Sequence, residues 1–458
     1  MEEAPTETTQ NDNSITPPTT SQPSSTSATS FEKSIQQSLS TLTSQNIEER
    51  PLYLTTPNLE DKVLTSYVTY TLKGTLIPSP ILRRYSDFFS LREKLLERWP
   101  GIYIPPIPPK KAIGNTDIKI IQFRLRLLNN FLHQLSQIPF LLNSEEVTLF
   151  ISNSQDVAGQ INNLSELNSS ERITRYKNAF MQSVQSETEI ENVNEEIIIK
   201  HKDEIYQSYD NVKQFREFVV SAREKKEREI KNYICLLNVF EDYEKYSLIE
   251  YADGNEDKLV FADYKNQFQM QSIALLKEKM MNPFDALVDN LEEDELDLLA
   301  MKEAFDSICD MKNEYARLKE EHSRLIDKII EIKTEVKVED LVNSMKFQSM
   351  ENEKILREIG LKYLNLVIQL SCKHMVQYIE VFKERKMVNY YKHLNSFKEI
   401  LRNNNRLMLN VWKEIANNKN VNKKNNENEE SNNNNIIQNE EIKQEEEKTI
   451  KVDDEHKQ

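Results

Sequence analysis

Arg83, Arg84 and Tyr85 stand side by side in the run Arg83-Arg84-Tyr85-Ser86-Asp87-Phe88-Phe89. A guanidinium grips a phosphate with two parallel N–H donors, and a neighbouring phenol ring can lie against a sugar-like ring. Two stretches downstream add cations. Ile104-Pro105-Pro106-Ile107-Pro108-Pro109 is a stiff polyproline segment that ends in Lys110-Lys111. Arg124 sits one turn before Leu128, at the start of an apolar helical face that includes Phe131, Leu132 and Leu135 and closes at Pro139. Three cationic groups from three elements can therefore converge on one multiply phosphorylated headgroup. The competing reading is a solvated Arg pair at a strand end, with Tyr85 in the core.

These groups need a strand-to-helix junction to fix them. Residues 81–85 read as the end of an extended run, Ser86 as an N-cap, and Asp87 as negative charge in the first helical turn. Phe88, Leu91, Leu95 and Trp99 then recur at helical spacing. Leu52-Tyr53-Leu54, Tyr67–Leu72 and Ile81–Tyr85 are β-branched or aromatic runs, the last two separated by Gly74 and Pro78-Ser79-Pro80. The pattern predicts a three-stranded antiparallel sheet followed by helices. Ile113 and Ile118 flank Gly114-Asn115. They either insert between lipid headgroups beside the site or pack under the proline loop.

Taken together and in order, Arg-Arg-Tyr-Ser-Asp-Phe, the proline run with its lysine, and the Arg-led helix resemble the phox-homology (PX) domain, a phosphoinositide-binding module. The resemblance covers about residues 50–152. It implies an α+β fold and phosphatidylinositol 3-phosphate as ligand. It also implies roles: Arg84 on the 3-phosphate, Tyr85 on the inositol ring, Lys110 on the 1-phosphate and Arg124 on the 4- and 5-hydroxyls. Pro109 leaves open whether Lys110 or Lys111 makes the phosphate contact. Arg83, Lys111 and Ile113 are the further candidate lipid contacts.

Charge is distributed to match. The chain has a formal net charge of −16, which argues against nucleic acid as a partner. Residues 51–152 nevertheless carry 12 Lys+Arg against 8 Asp+Glu, so this module is locally basic. Residues 1–50 are rich in Ser, Thr, Gln and Pro and are expected to be disordered. Residues 153–170 read as a polar linker.

Beyond Pro139 only Pro283 and the glycines Gly159, Gly254 and Gly360 interrupt the chain, so long helices dominate. Three segments are predicted: about 171–249, about 259–334 bent at Asn282-Pro283, and about 339–416. Helices this long span about 110 Å each at 1.5 Å per residue, which requires an elongated three-helix coiled coil, alone or pooled in a dimer. Such helices behind a PX domain, with the Pro283-Phe284 kink and late Trp412, resemble the BAR domain of sorting nexins. That resemblance implies dimerisation, with itself or with another BAR-containing sorting nexin, and a basic concave face on curved membrane. Candidates for that face are Arg223, Lys225, Lys226 and Arg228, and Lys383, Arg385 and Lys386. The bland alternative is a solvated face of i,i+4 ion pairs, because glutamates interleave. Residues 417–458, rich in Asn, Glu and Lys, are expected to be a disordered tail.

Catalysis has no support. The sequence contains no H-E-x-x-H, no G-x-x-x-x-G-K-[ST] and no G-x-S-x-G. Cys235, Cys309 and Cys372 have no metal or disulfide spacing, and no cofactor is expected. No run reaches the roughly 18 apolar residues of a membrane span, and the N-terminus lacks a signal region. The expectation is a cytoplasmic protein, peripheral on early endosome membranes, that binds phosphatidylinositol 3-phosphate and senses or shapes curvature in sorting, recycling or autophagy-linked trafficking. Cargo and retromer-like proteins are further expected partners. The alternative is a PX-anchored tether or scaffold that binds proteins without shaping membrane. A purely structural coiled-coil protein is the third class.

Overall fold

The computed structural model describes residues 49–62, 65–110, 118–180, 195–251, 259, 267–335 and 345–455. Strands β1 (Tyr53–Lys62), β2 (Thr65–Lys73) and β3 (Ile81–Arg84) form one antiparallel sheet in the order β1-β2-β3. Helix α1 (Tyr85–Arg98) follows β3 without a loop. After it come α2 (Ile118–Ser136), α3 (Pro139–Leu142), α4 (Glu145–Phe150), α5 (Val157–Asn162) and α6 (Ser169–Phe180). The long helices are α7 (Glu195–Tyr243), α9 (Pro283–Glu335) and α10 (Met345–Glu455), with the shorter α8 (Gln267–Lys279) between the first two. A small antiparallel sheet followed by long helices is the fold class the sequence predicts.

Contacts divide the chain into two units. Among the described residues, one unit holds those up to Leu95 together with those of Ile107–Ser165; the other holds Leu96–Pro106 and those from Glu166 onward.

In the first unit, alternation along the strands decides what is inside. Leu54, Tyr70, Leu72 and Ile81 point into the core. Phe88 from α1 meets Phe131 of α2 and Phe150 of α4 edge-on, at 6.2 and 4.9 Å between ring centroids, a favoured aromatic geometry. Asn129 of α2 repairs an irregularity in β1. The β1–β2 register shifts between Leu54 and Pro57, and the Asn129 amide takes up the Leu54 N–H (2.7 Å) and donates to its carbonyl (3.4 Å). Gly74 adopts φ +153°, and a Cβ there would lie 1.9 Å from the Pro51 carbonyl oxygen, so only glycine fits. The stretch read as a linker is partly structured: Asp156 caps α5 at the Gly159 N–H, and Val157 and Ile161 are buried.

In the second unit α9 packs on both α7 and α10, while α8 and α6 pack on α10. The seams are built from small apolar clusters: Val219 with Val288 and Leu291, and Leu237 with Leu276 and Val411. Leu96–Pro106 is built into this unit. Trp99 lies 5.4 Å from Tyr176 between ring centroids, and Tyr103, fully buried, stacks on Tyr378 at 5.0 Å. At Gly101, φ +76°, an added Cβ would sit 2.8 Å from Met311.

Two expectations are corrected. Pro283 does not bend a continuous helix. Residues Met280–Asn282 leave the helical path and Pro283 opens α9 as its first residue, where its missing N–H costs nothing. Asn282 accepts the Phe284 N–H (3.1 Å), and Asn404 of α10 bonds both backbone groups of Met281, so side chains take up backbone groups freed at the break. The expected first long segment is described as α6 up to Phe180 and as α7 from Glu195, residues 181–194 lying outside the described residues, and a π-helical turn over Glu244–Leu248 follows α7. Finally, α10 does not stop near Ala416. Its backbone stays helical through the stretch read as a tail, to Glu455, where Glu, Lys and Gln without Pro or Gly sustain helical propensity.

Candidate functional site

The two adjacent arginines have opposite fates because β3 alternates. Ile81 and Arg83 point inward, Leu82 and Arg84 outward. Arg83 is 3% exposed. Its guanidinium donates to the carbonyls of Phe150 (2.8 Å), Leu82 (2.6 Å) and Ser152, and it lies 5.7 Å from the Phe150 ring. Burial pulls its pKa down, with Asp87 opposing. Arg83 is therefore a structural clamp, which corrects its candidacy as a lipid contact.

Arg84 faces out, with 52% of its side chain exposed. Asp87 holds it in place: one carboxylate oxygen accepts the Arg84 backbone N–H (2.9 Å), the other faces its Nε at 3.4 Å. Arg84 is thus the N-cap residue and Asp87 the third helical position reaching back, half of a capping box. This replaces Ser86 as the expected cap.

Tyr85, the first residue of α1, is the hub. Its hydroxyl donates to the Pro108 carbonyl at 2.6 Å, which fixes the proline run two residues before Lys110. The Arg124 guanidinium lies 4.6 Å from the centre of its ring, within cation–π range. Burial raises the Tyr85 pKa, and Arg124 and Arg92 oppose that rise. Arg124 itself is 5% exposed. It lies two turns into α2 rather than at its start, since the helix begins at Ile118. Tyr70 of β2 is buried beside it, its pKa pushed up to about 12 by burial, with the Arg124 charge opposing.

Lys110 is exposed, its ammonium 5.4 Å from the centre of the Phe89 ring. Phe89 follows Tyr85 by four residues, so the two rings neighbour each other on α1. The structure therefore brings Tyr85, Arg124 and the Lys110 segment into one cluster with Arg84 leading into it. Lys111 and Ile113 lie outside the described residues; Ile118 is 36% exposed. Sequence reading passed over Phe89 and the reach of Asp87. The i,i+4 spacing of Phe89 from Tyr85 was the available signal for the first.

The nominated basic face of the long helices looks different in the structure. Arg385 and Lys386 converge on Asp297, at 3.1 and 2.8 Å, and Lys386 also pairs with Asp294 at 2.8 Å. Asp297 is 2% exposed and accepts a hydrogen bond from the Tyr103 hydroxyl. Burial alone would raise the Asp297 pKa, but Lys386 and Arg385 hold it below the usual carboxylate range. Arg385 and Lys386 are consequently an internal ion cluster, which corrects their assignment to a membrane-facing patch. Lys383 pairs with Glu204 (3.1 Å) and Lys226 with Glu229 (2.6 Å). Among the described residues no cluster of His, Cys, Asp or Glu could hold a metal ion, and no helix is long and apolar enough to cross a membrane.

Residues 74–154 match the family model of the PX domain. Over 78 residues, 17% of this chain, the sequence is 35% identical to sorting nexin 1 of Arabidopsis thaliana, covering 19% of that protein. It is 42% identical over 78 residues to sorting nexin MVP1 of Candida albicans, covering 10% of it, and 31% identical over 86 residues to human sorting nexin-8, covering 18%. The chain thus spans a fifth or less of the length of these curated relatives. Among solved structures it is similar to the SNX-BAR Mvp1 tetramer determined by cryo-EM, with a TM-score of 0.47 and 18% identity over 80% of this chain and all of that one. Residues 74–154 therefore belong to the PX domain family, and the chain that carries them is related through that domain to the sorting nexins.

Proposed function

We propose that this chain is a peripheral membrane protein that binds phosphatidylinositol 3-phosphate through Arg84, Tyr85, Lys110 and Arg124. It acts as a dimer in endosomal sorting, recycling or autophagy-linked trafficking. The observation that carries this reading is the Tyr85 cluster. One phenol ring carries a guanidinium at 4.6 Å, anchors the lysine-bearing proline run, and follows a half-exposed arginine held by Asp87. The residues beside this cluster belong to a family of lipid-reading modules, and its relatives are named sorting nexins.

The long helices supply the dimerisation part of the reading, as a BAR-type region over about residues 171–416. Phe215, Phe218 and Leu356 stand 43%, 72% and 69% exposed on them, apolar side chains that a second copy would cover. A second copy covering those faces places two headgroup sites in one particle. The second binding event then becomes intramolecular and gains avidity.

Liposome flotation tests the site. The full chain should float with vesicles carrying phosphatidylinositol 3-phosphate, and Arg84→Ala should not. Equal flotation of both proteins on every anionic vesicle would overturn the assignment. A second reading, a tether whose helices bind proteins and leave membrane flat, is favoured by the pairing of Arg385, Lys386, Lys383 and Lys226 with carboxylates. Vesicles that bind the chain without tubulating would select it.

A further inference from the structure

Tyr85 and Phe89 are one helical turn apart on α1, and each carries a cation against its ring: Arg124 at 4.6 Å and Lys110 at 5.4 Å. The two pairs differ in setting. Arg124 is 5% exposed, so packing fixes it. Lys110 is exposed at the end of a proline run and has a flexible four-carbon stem. Phe89 is 36% exposed, an aromatic ring left at the surface where the helix could have carried a polar residue. Its neighbour Phe88, by contrast, is fully buried. The backbone under Lys110 is already set, because the Tyr85 hydroxyl holds the Pro108 carbonyl and prolines restrict the residues between. Only the side chain of Lys110 remains to be ordered.

We infer that Phe89 is a positioning residue of the headgroup site: its ring face holds the Lys110 ammonium in place before a phosphate arrives, which lowers the ordering cost of binding. This inference rests on the proposed reading of the site. An ammonium over a ring keeps its charge and its three N–H donors, so it can donate to a phosphate oxygen while it stays on the ring face, without first being stripped from a carboxylate. A carboxylate at position 89 would compete with the phosphate; an alkyl group would hold nothing. An aromatic ring is the side chain that restrains a cation and still leaves its N–H donors to a phosphate.

The test uses the full chain and short-chain dibutanoyl phosphatidylinositol 3-phosphate, which binds without a bilayer. Phe89→Leu keeps apolar bulk and helix propensity but removes the ring. Its affinity should fall about two- to fivefold, the range of an exposed cation–π contact, and Phe89→Tyr should bind as the parent does. In a Lys110→Gln background Phe89→Leu should change nothing further. An equal loss in both backgrounds overturns the inference. So does a loss confined to phosphatidylcholine vesicles carrying the lipid, because Phe89 would then be touching the bilayer itself. A lipid-free readout separates this inference from the functional reading. With lysines carrying ¹³C-methyl groups, the Lys110 signal, assigned by its absence in Lys110→Gln, should be ring-shifted upfield and return to the bulk lysine position in Phe89→Leu. If no protein in the series binds the short-chain lipid but this shift is present, the ligand assignment fails and the positioning stands. If the Lys110 signal already lies at the bulk position in the parent chain, the positioning fails.

Discussion

Replacing Asp297 by Asn should loosen the segment Leu96–Pro106 from the helices it packs into. The carboxylate is 2% exposed and faces two cations within 3.1 Å, plus the Tyr103 hydroxyl. Asparagine keeps the volume and one acceptor but removes the charge. Breaking a buried ion cluster from one side costs about 3–5 kcal/mol, because the opposite charges stay buried without compensation. Two features place this case at the low end, about 3 kcal/mol. Lys386 retains Asp294 at 2.8 Å, and the Arg385 side chain is 24% exposed and keeps the Tyr378 hydroxyl at 3.1 Å. The chain has two tryptophans, so Trp412→Phe leaves Trp99, 3% exposed, as the reporter of this segment. With a urea m-value of about 1–3 kcal/mol/M, the Trp99 transition should move down by about 1–3 M. The loss should shrink below about pH 4. The folded Asp297 pKa lies below its unfolded value, so its contribution is complete above the unfolded pKa of about 3.9 and disappears as pH falls through the folded one. Adding Arg385→Met to Asp297→Leu should recover much of the stability lost by Asp297→Asn. A Trp99 midpoint unchanged by Asp297→Asn at pH 7 would refute the reasoning, since it would mean water already solvates the cluster.

Arg83→Ala and Arg84→Ala should give opposite phenotypes. The first leaves the Phe150 and Ser152 carbonyls without their donor and should lower stability by about 2–4 kcal/mol, read as a drop in melting temperature. The second should leave the melting temperature within about 2 °C and abolish flotation. His374 is largely enclosed by its neighbours and stays neutral, its pKa pulled by desolvation to about 4. The unfolded imidazole titrates near 6.5, so stability is complete above that pH and falls by about 3 kcal/mol as pH drops from 6.5 to 4. Urea midpoints measured across that range should flatten in His374→Phe; an unchanged slope would assign the pH dependence to another group.

The strands and the apolar stripes were legible because period 2 and period 3.6 are written directly in residue type. The same logic reaches further than the sequence reading took it. Once β3 is accepted as a strand entering a helix, alternation makes one of Arg83 and Arg84 internal. Which of the two is fixed only by Ile81 facing the core, a matter of register that residue types leave open. Pro283 was legible as a disruption but not as a helix start. The difference lies in Asn282 and in Asn404, about 120 residues away, which together satisfy the backbone at the break. The internal ion cluster was invisible for the same reason. Arg385 and Lys386 sit among glutamates in sequence, and their partners Asp294 and Asp297 come from another helix. Long-range pairing of charges leaves no periodic trace.

That pairing bears on how the chain would hold a membrane. An exposed lysine contributes to attraction for an anionic surface; a lysine committed to Asp297 contributes nothing, because its field is already cancelled locally. With Arg385 and Lys386 internal, and Lys383 and Lys226 facing glutamates, attraction would fall to the basic segment 51–152, where Arg84 faces outward, and to the exposed Lys225 and Arg228 of α7. On the proposed reading, one such module per chain would give a weak, single-headgroup grip. The apolar residues exposed on the long helices would then have a functional reason: a partner that covers them would also bring a second grip to the same surface. Affinity for membrane should therefore depend on protein concentration in the range where the chain associates, and a variant that blocks association, such as Phe218→Glu, should weaken flotation while leaving short-chain lipid binding unchanged. Equal losses in both assays would mean that Phe218 supports the fold of the chain rather than its pairing.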